Sequence, residues 1–302
     1  MDKDYGLSPA QVIKDFGILI KSKGYAIFPF TWAAIIASMI VGHGFPPIIT
    51  TIMAVSTSAL IAISVYVYND VIDVEMDKLN PLKQNRPLVN GKAHRESAIL
   101  LVVLSGLGAL SIAFLINLIT FIISLVWLTL LLSYSDPRIR LKNMFLIKEL
   151  ITSSGFPFAS LIASFALTGN FSLPAVFMGF ILGSFVFLCL PALADSFDLN
   201  EDQIYKVNSL SRALKWRGKV LLLGLAVLFM MTITPLTYAR MGFSVLLPIV
   251  VVISSLVAIR WGVFPIRSAF DVKMTMKARK IIYGFFFVTQ IIIIISSFSI
   301  GL

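Results

Sequence analysis

Charge is scarce in this chain. Of its 302 residues only 13% are Asp, Glu, Lys or Arg, where a soluble domain carries about 25%. That is too few to cover a surface in water. Hydrophobic residues make up 58%, and the mean hydropathy is +0.93. Length alone would suggest about two soluble domains, and the composition overrides that prior. Cysteine is nearly missing too: Cys189 stands alone in an apolar stretch, which excludes a disulfide framework and a Cys-based zinc site. The net charge of +10 would suit nucleic acid in a soluble protein. Here the basic residues are interleaved with long apolar runs, so membrane lipid is their expected counterpart and no nucleic-acid partner is expected. The chain reads as an integral membrane protein.

The places where charge is absent lay out the organisation. Residues 24–69, 97–135, 150–194 and 281–302 contain no charged side chain, and 220–259 contain only Arg240. A spanning helix needs about 20 apolar residues, so the four long runs give two spans each and the last run one. Each long run has a turn signal near its middle: His43 to Pro47, Asn117, Thr168 to Pro174, and Pro235 to Gly242. The expectation is an all-α polytopic bundle of nine transmembrane helices, as one domain of two four-helix halves (about 24–135 and 150–259) plus a final span at 281–302. The runs are continuous rather than alternating, which argues against barrel strands.

Of the 25 Lys and Arg residues, all but Arg240 fall on one side of this nine-span arrangement, as do all 15 acidic residues. The positive-inside tendency makes that side cytoplasmic, with the N-terminus inside. The start, Met1-Asp2-Lys3-Asp4-Tyr5-Gly6, does not have the pattern of a signal peptide. Ser8 and Pro9 suit a helix N-cap and first position. The segment that follows puts Val12, Phe16, Leu19 and Ile20 on one face, as in a helix lying in the membrane interface; a plain helical entry to the first span fits equally well.

The charge that is present is concentrated. The second span ends in Asn69-Asp70-Val71-Ile72-Asp73-Val74-Glu75-Met76-Asp77, and the sixth ends in Asp195-Ser196-Phe197-Asp198-Leu199-Asn200-Glu201-Asp202. Both contain Asp-x-x-Asp-x-x-x-Asp, and each member of the second copy follows its counterpart by 125 residues (195 − 70, 198 − 73, 202 − 77). On a helix, positions four apart differ by about 40° and three apart by about 60°. Asn69, Asp73 and Asp77 therefore share a face, as do Asp195, Asp198 and Asp202. So many carboxylates on one face repel unless cations neutralise them, and hard oxygen ligands suit Mg²⁺ with phosphate oxygens. A single Asp at a helix end ordinarily just faces water. Two clusters of identical spacing, each closing a span, are harder to account for that way.

Cations follow closely: Asn85-Arg86-Pro87 after the first cluster, Lys206 after the second, and a loop reading Tyr134-Ser135-Asp136-Pro137-Arg138-Ile139-Arg140-Leu141-Lys142. Such groups can grip a departing diphosphate, although most Lys and Arg residues here are expected to set topology. Arg138, Arg140, Lys148 and the 260–280 cluster rank behind Arg86, Lys142 and Lys206.

These motifs resemble the two signatures of the UbiA superfamily of intramembrane prenyltransferases, and the Tyr134…Lys142 loop is similar to a motif of its chlorophyll-synthase and quinone-pathway branches. The resemblance covers essentially the whole chain. It implies a central membrane cavity, open to the cytoplasmic side or the membrane. There an allylic prenyl diphosphate, held through two Mg²⁺ ions, ionises and alkylates an aromatic or lipid acceptor. By position it implies Asn69, Asp73, Asp77, Asp198 and Asp202 as metal ligands, with Asp70 and Asp195 second in rank. Arg86, Lys142 and Lys206 would hold the diphosphate, and Asp73, Asp198, Lys142 and Tyr134 would be catalytic. Three positions depart from the family pattern. Lys148-Glu149 stands where Gly-Asn is common, Asn208-Ser209-Leu210 stands for Thr-Leu-Pro, and an early Arg is missing, with Lys21 or Lys23 nearest. A transporter would also suit repeated halves, but its ionisable groups usually lie at mid-depth. A CDP-alcohol phosphotransferase would need Gly where Val74 stands. A relative that binds prenyl lipid without catalysis fits poorly with the intact Asp set.

Overall fold

A computed structural model describes residues 7–196 and 208–298. Among the described residues all regular elements are helical. Among the described residues eight helices are long and apolar enough to cross a membrane, and a bent pair makes a ninth if it is taken as one span. The expected all-α polytopic architecture is present, and its nine spans are matched when the broken fifth one is counted as a single crossing.

The spans are α2 (Gly24–Val41), α3 (Ile48–Asp77), α4 (Arg95–Ile116), α5 (Leu118–Ser135), the pair α6 (Ile147–Ser153) and α7 (Gly155–Thr168), α8 (Leu173–Leu193), α10 (Trp216–Thr237), α11 (Leu246–Val257) with its continuation to Ile266, and α12 (Val272–Ser297). A separate helix, α1 (Pro9–Ser22), precedes them, and a single turn, α9 (Leu210–Ala213), precedes α10.

The breaks have identifiable causes. Helix α6 ends at Ser153, and α7 departs at 43°. Pro157 lies four residues on, so it cannot donate to the Ser153 carbonyl and its ring crowds that oxygen. Asn117 separates α4 from α5, its side chain accepting the Thr120 backbone N–H at 2.7 Å. Gly169 ends α7 in the left-handed region (φ 70°), where glycine carries no Cβ penalty. The last helix starts at Val272, before the charge-free stretch 281–302, because Asp271 caps it and accepts the Met274 N–H at 2.7 Å. Helix α3 has 30 residues, about 45 Å, against a hydrocarbon core of about 30 Å. Its acidic end therefore extends past the apolar layer.

The chain divides into two compact units, Met1–Trp32 with Ile52–Arg140, and Ala33–Thr51 with Leu141–Leu302. In the first, α1 begins at the expected Ser8 cap and Pro9. Its buried stripe is Asp15, Leu19 and, just beyond its end, Lys23, spaced four residues apart and so on one face. Leu19 packs among Val67 and Val71 of α3 and Ala93, Ala98 and Leu101, with Phe16 against the same cluster. Val12 is half-buried and Ile20 exposed. Asp15 accepts from the His94 backbone N–H (3.0 Å) and Gln11 (2.7 Å), and lies 2.8 Å from His94 Nδ1. Farther along, Phe30 stacks on Trp127 at 5.1 Å and meets Tyr66 edge-on.

In the second unit α8 packs against α7 and α10. Its Gly179-x-x-x-Gly183 spacing allows close approach to α7. A Cβ on Gly179 would come within 2.9 Å of the Phe156 carbonyl oxygen, and one on Gly183 within 3.0 Å of the Ser153 carbonyl oxygen. Phe185 stacks on Phe286 at 4.6 Å.

Candidate active site

The acidic end of α3 supplies the first half of the chemistry. Helical geometry turns Asp70, Asp73 and Asp77 inward, and all three are buried. Buried carboxylates need partners, and cations from several elements converge on them. Lys23, at the end of α1, places Nζ 2.7 Å from Asp70 Oδ1. The Arg86 guanidinium reaches the same oxygen at 2.9 Å and also bonds Asp77 Oδ2. Lys83, in the 3₁₀ turn Pro81–Lys83, lies 3.3 Å from Asp77 Oδ1. Arg140 sits 3.9 Å from Asp73 Oδ1 on a backbone with φ 46°, a conformation rare for a residue with a Cβ.

Asn69 Nδ2 donates to Asp73 Oδ2 at 2.9 Å and to Ser135 Oγ at 2.8 Å. It thereby ties the motif to the last residue of α5. One residue before Ser135, Tyr134 is half-buried. Beyond the helix, Tyr68 donates to Asp136 Oδ2 at 3.1 Å and the Arg138 N–H to Asp136 Oδ1 at 2.9 Å. The Arg138 backbone bond, opposed by burial and aided by Tyr68, lowers the Asp136 pKa.

The two cations sharing Asp70 respond in opposite directions. Burial pulls the Lys23 ammonium below the usual lysine range despite Asp70. At Arg86 burial again disfavours the cation, but Asp70 and Asp77 together raise its pKa.

In the second unit, α8 ends at Leu193 and a turn brings Asp195 into a buried position, its backbone N–H donating to Leu190 at 3.0 Å. Lys148 Nζ stands 3.4 Å from Asp195 Oδ1. Lys142 is half-buried in the 3₁₀ turn Leu141–Asn143. Asp198, Asp202 and Lys206 lie outside the described residues. Two departures from the family pattern meet here. Fully buried Glu149 accepts the Leu210 backbone N–H at 2.6 Å. A proline at that position would have no N–H to satisfy.

Sequence reasoning ranked Asp70 and Arg140 low and passed over Lys83. Asp70 is the centre of the ion-pair network, and Lys83 and Arg140 are within reach of Asp77 and Asp73. Lys23 rather than Lys21 is the early cation that turns inward. The only signal for Lys23 was its place in the α1 stripe, eight residues after Asp15.

Mg²⁺ typically takes one or two carboxylates and completes its shell with water and phosphate oxygens. Among the described residues no three acidic, His or Cys side chains form a closed cage. Asp73 and Asp77, one turn apart on one helix, fit that open, oxygen-rich mode.

The relatives agree with this fold. Residues 26–288 match the model of the UbiA prenyltransferase family. A digeranylgeranylglyceryl phosphate synthase of Sulfolobus acidocaldarius is 31% identical over 196 residues, covering 62% of this chain and 66% of the relative. A 4-hydroxybenzoate octaprenyltransferase of Francisella tularensis subsp. novicida is 27% identical over 63% of this chain and 66% of its own length. The matched stretch thus spans just under two thirds of either relative. A solved structure concerned with digeranylgeranylglyceryl phosphate synthase in membranes has TM-score 0.70 at 20% identity, over 95% of this chain and 99% of that one. A UbiA homologue from Archaeoglobus fulgidus bound to GPP and Mg²⁺ has TM-score 0.62 at 16% identity, over 91% and 99%. This chain is an integral membrane protein that belongs to the UbiA prenyltransferase family.

Proposed function

We propose that the protein transfers an allylic prenyl group from a prenyl diphosphate to a lipophilic or aromatic acceptor within the membrane. The observation that carries this reading is the end of α3, where three buried carboxylates and four cationic side chains share one site. Such a site can hold both a divalent metal and the anion the metal bridges. Asn69, Asp73 and Asp77, with Asp198 and Asp202, are the residues that would hold two Mg²⁺ ions, and Asp70 and Asp195 would organise the cations beside them. Bound Mg²⁺ would neutralise the charge that builds on the diphosphate.

Arg86, Lys142 and Lys206 donate to the diphosphate oxygens, with Tyr134 beside them. The substrate C–O bond breaks heterolytically and diphosphate leaves with the electron pair. Positioned donors lower this barrier because they act where charge develops. The allylic cation then bonds to the acceptor, which loses a proton. Water must be kept out, or it would capture the cation first, and an apolar membrane interior supplies that condition. The acidic motifs face the cytoplasm in this reading, on the positively charged side.

Membranes containing the protein, given labelled geranyl or geranylgeranyl diphosphate and an acceptor panel, should form one prenylated product. The panel comprises 4-hydroxybenzoate, dihydroxynaphthoate, a porphyrin acid and geranylgeranylglyceryl phosphate. Prenyl diphosphate consumption without transfer to any of them, or no Mg²⁺ dependence, would contradict the reading.

A further inference from the structure

Away from the acidic motifs, one groove in the second unit combines a cationic mouth with an apolar floor. It has a volume of about 490 Å³ and runs between α10 and the continuation of α11, where a π-helical turn (Ala258–Val263) gives way to a 3₁₀ turn (Phe264–Ile266). Arg217, Arg267 and Ser268 line one end, while Gly224, Leu228 and Val263 line the rest. From Arg217 to Leu228 the groove follows three turns of α10, about 16 Å. That is roughly one leaflet of a core about 30 Å thick.

The mouth is held in place. The Trp216 indole N–H donates to the Ile266 carbonyl at 2.6 Å, and its ring meets Phe270 edge-on at 5.0 Å. This fixes the turn carrying Arg267 against the start of the helix carrying Arg217. The Arg267 guanidinium lies 5.5 Å from the Phe264 ring centroid. Both arginines are exposed. Two guanidiniums at the level of the membrane surface match a lipid phosphate in charge. A second groove, of about 420 Å³ between α11 and α12, is lined by residues such as Val250, Ile253 and Val288, with no charged side chain. It offers nothing to an anion.

We propose that the Arg217–Arg267 groove binds one anionic phospholipid from the leaflet on the positively charged side of the protein. The lipid phosphate sits between the two guanidiniums and an acyl chain lies along Gly224 and Leu228. This site is independent of prenyl transfer and stands whether or not the acceptor is identified.

Native mass spectrometry of the protein in mild detergent with phosphatidylglycerol or phosphatidylcholine tests the proposal. Each arginine near a membrane surface favours an anionic lipid by roughly fivefold. The wild type should therefore retain phosphatidylglycerol at least tenfold better. The double variant Arg217→Gln, Arg267→Gln should bring the two lipids within about twofold of each other, at an unchanged melting temperature in phosphatidylcholine. Arg260→Gln with Arg279→Gln removes the same charge elsewhere and should keep the preference. Gly224→Leu fills the floor where an added Cβ meets only Val263, at 3.7 Å, and should lower phosphatidylglycerol retention with both arginines present. Three results would overturn the proposal: a preference that survives the Arg217/Arg267 exchange, undiminished retention by Gly224→Leu, or displacement of the lipid by millimolar inorganic phosphate.

Discussion

Asp70 accepts from Lys23 and Arg86 on a single oxygen, Oδ1, and is 2% exposed. Removing one partner of a buried pair costs about 3–5 kcal/mol, because the remaining charge stays desolvated. Lys23→Met should therefore lower thermal stability in detergent markedly, and Lys23→Arg should recover most of it; equal melting temperatures for Met and wild type would show that Arg86 alone suffices. At the other end of the same stripe, Asp15 is held at a pKa of about 2. Burial raises it, but the bonds from His94 and Gln11 outweigh that. A depressed carboxylate stabilises above its ordinary value of 3.8 and loses that contribution as pH falls toward about 2. A carbonyl-carbon NMR titration of Asp15 should show its midpoint near the lower value, with α1 loosening over that window; a midpoint near 3.8 would contradict the buried clasp. At this scale the sequence was only partly legible. The aspartates announced themselves by spacing, whereas Lys23 meets Asp70 across 47 positions, a distance no local pattern encodes.

A hydrogen bond from the Leu210 N–H to Glu149 links helices α6 and α9. Leu210 occupies the first position of α9, where proline is well tolerated. Glu149→Ala should cost about 1–3 kcal/mol by orphaning that N–H. Leu210→Pro removes the donor itself, so the double variant should cost clearly less than the sum of the singles. Additive losses in chemical unfolding would mean that the bond carries no coupling. Spans were read well from the sequence because an unpaired charge inside a bilayer is costly, so charge-free stretches mark membrane crossings directly. The break at Ser154 was not: hydropathy is blind to Pro157 facing the Ser153 carbonyl, and the stretch 150–194 stays uniformly apolar across it. The early start of α12 was hidden for the opposite reason, since Lys273, Lys277, Arg279 and Lys280 ride on a helix whose cap is Asp271.

For the whole molecule, the scarcity of charge and its gathering at the ends of a few spans are one design. Apolar helices make the protein a membrane resident, and part of the little charge left over gathers around the acidic end of α3. The span count followed from that distribution, and the family resemblance from the two spaced aspartate motifs. The convergence of Lys23, Lys83, Arg86 and Arg140 on three aspartates needed coordinates. The central claim is that Asp73 and Asp77, with Asp198 and Asp202, serve diphosphate departure. The direct measurement is release of inorganic diphosphate from geranyl diphosphate by purified protein supplied with the acceptor it prenylates, with and without Mg²⁺, comparing wild type with Asp73→Ala and Asp198→Ala at matched melting temperatures. Wild type should release it only with the metal, and each variant should fall by at least about a hundredfold, the scale seen when a group stabilising developing charge is removed. Mg²⁺-dependent turnover retained in both variants would contradict the account.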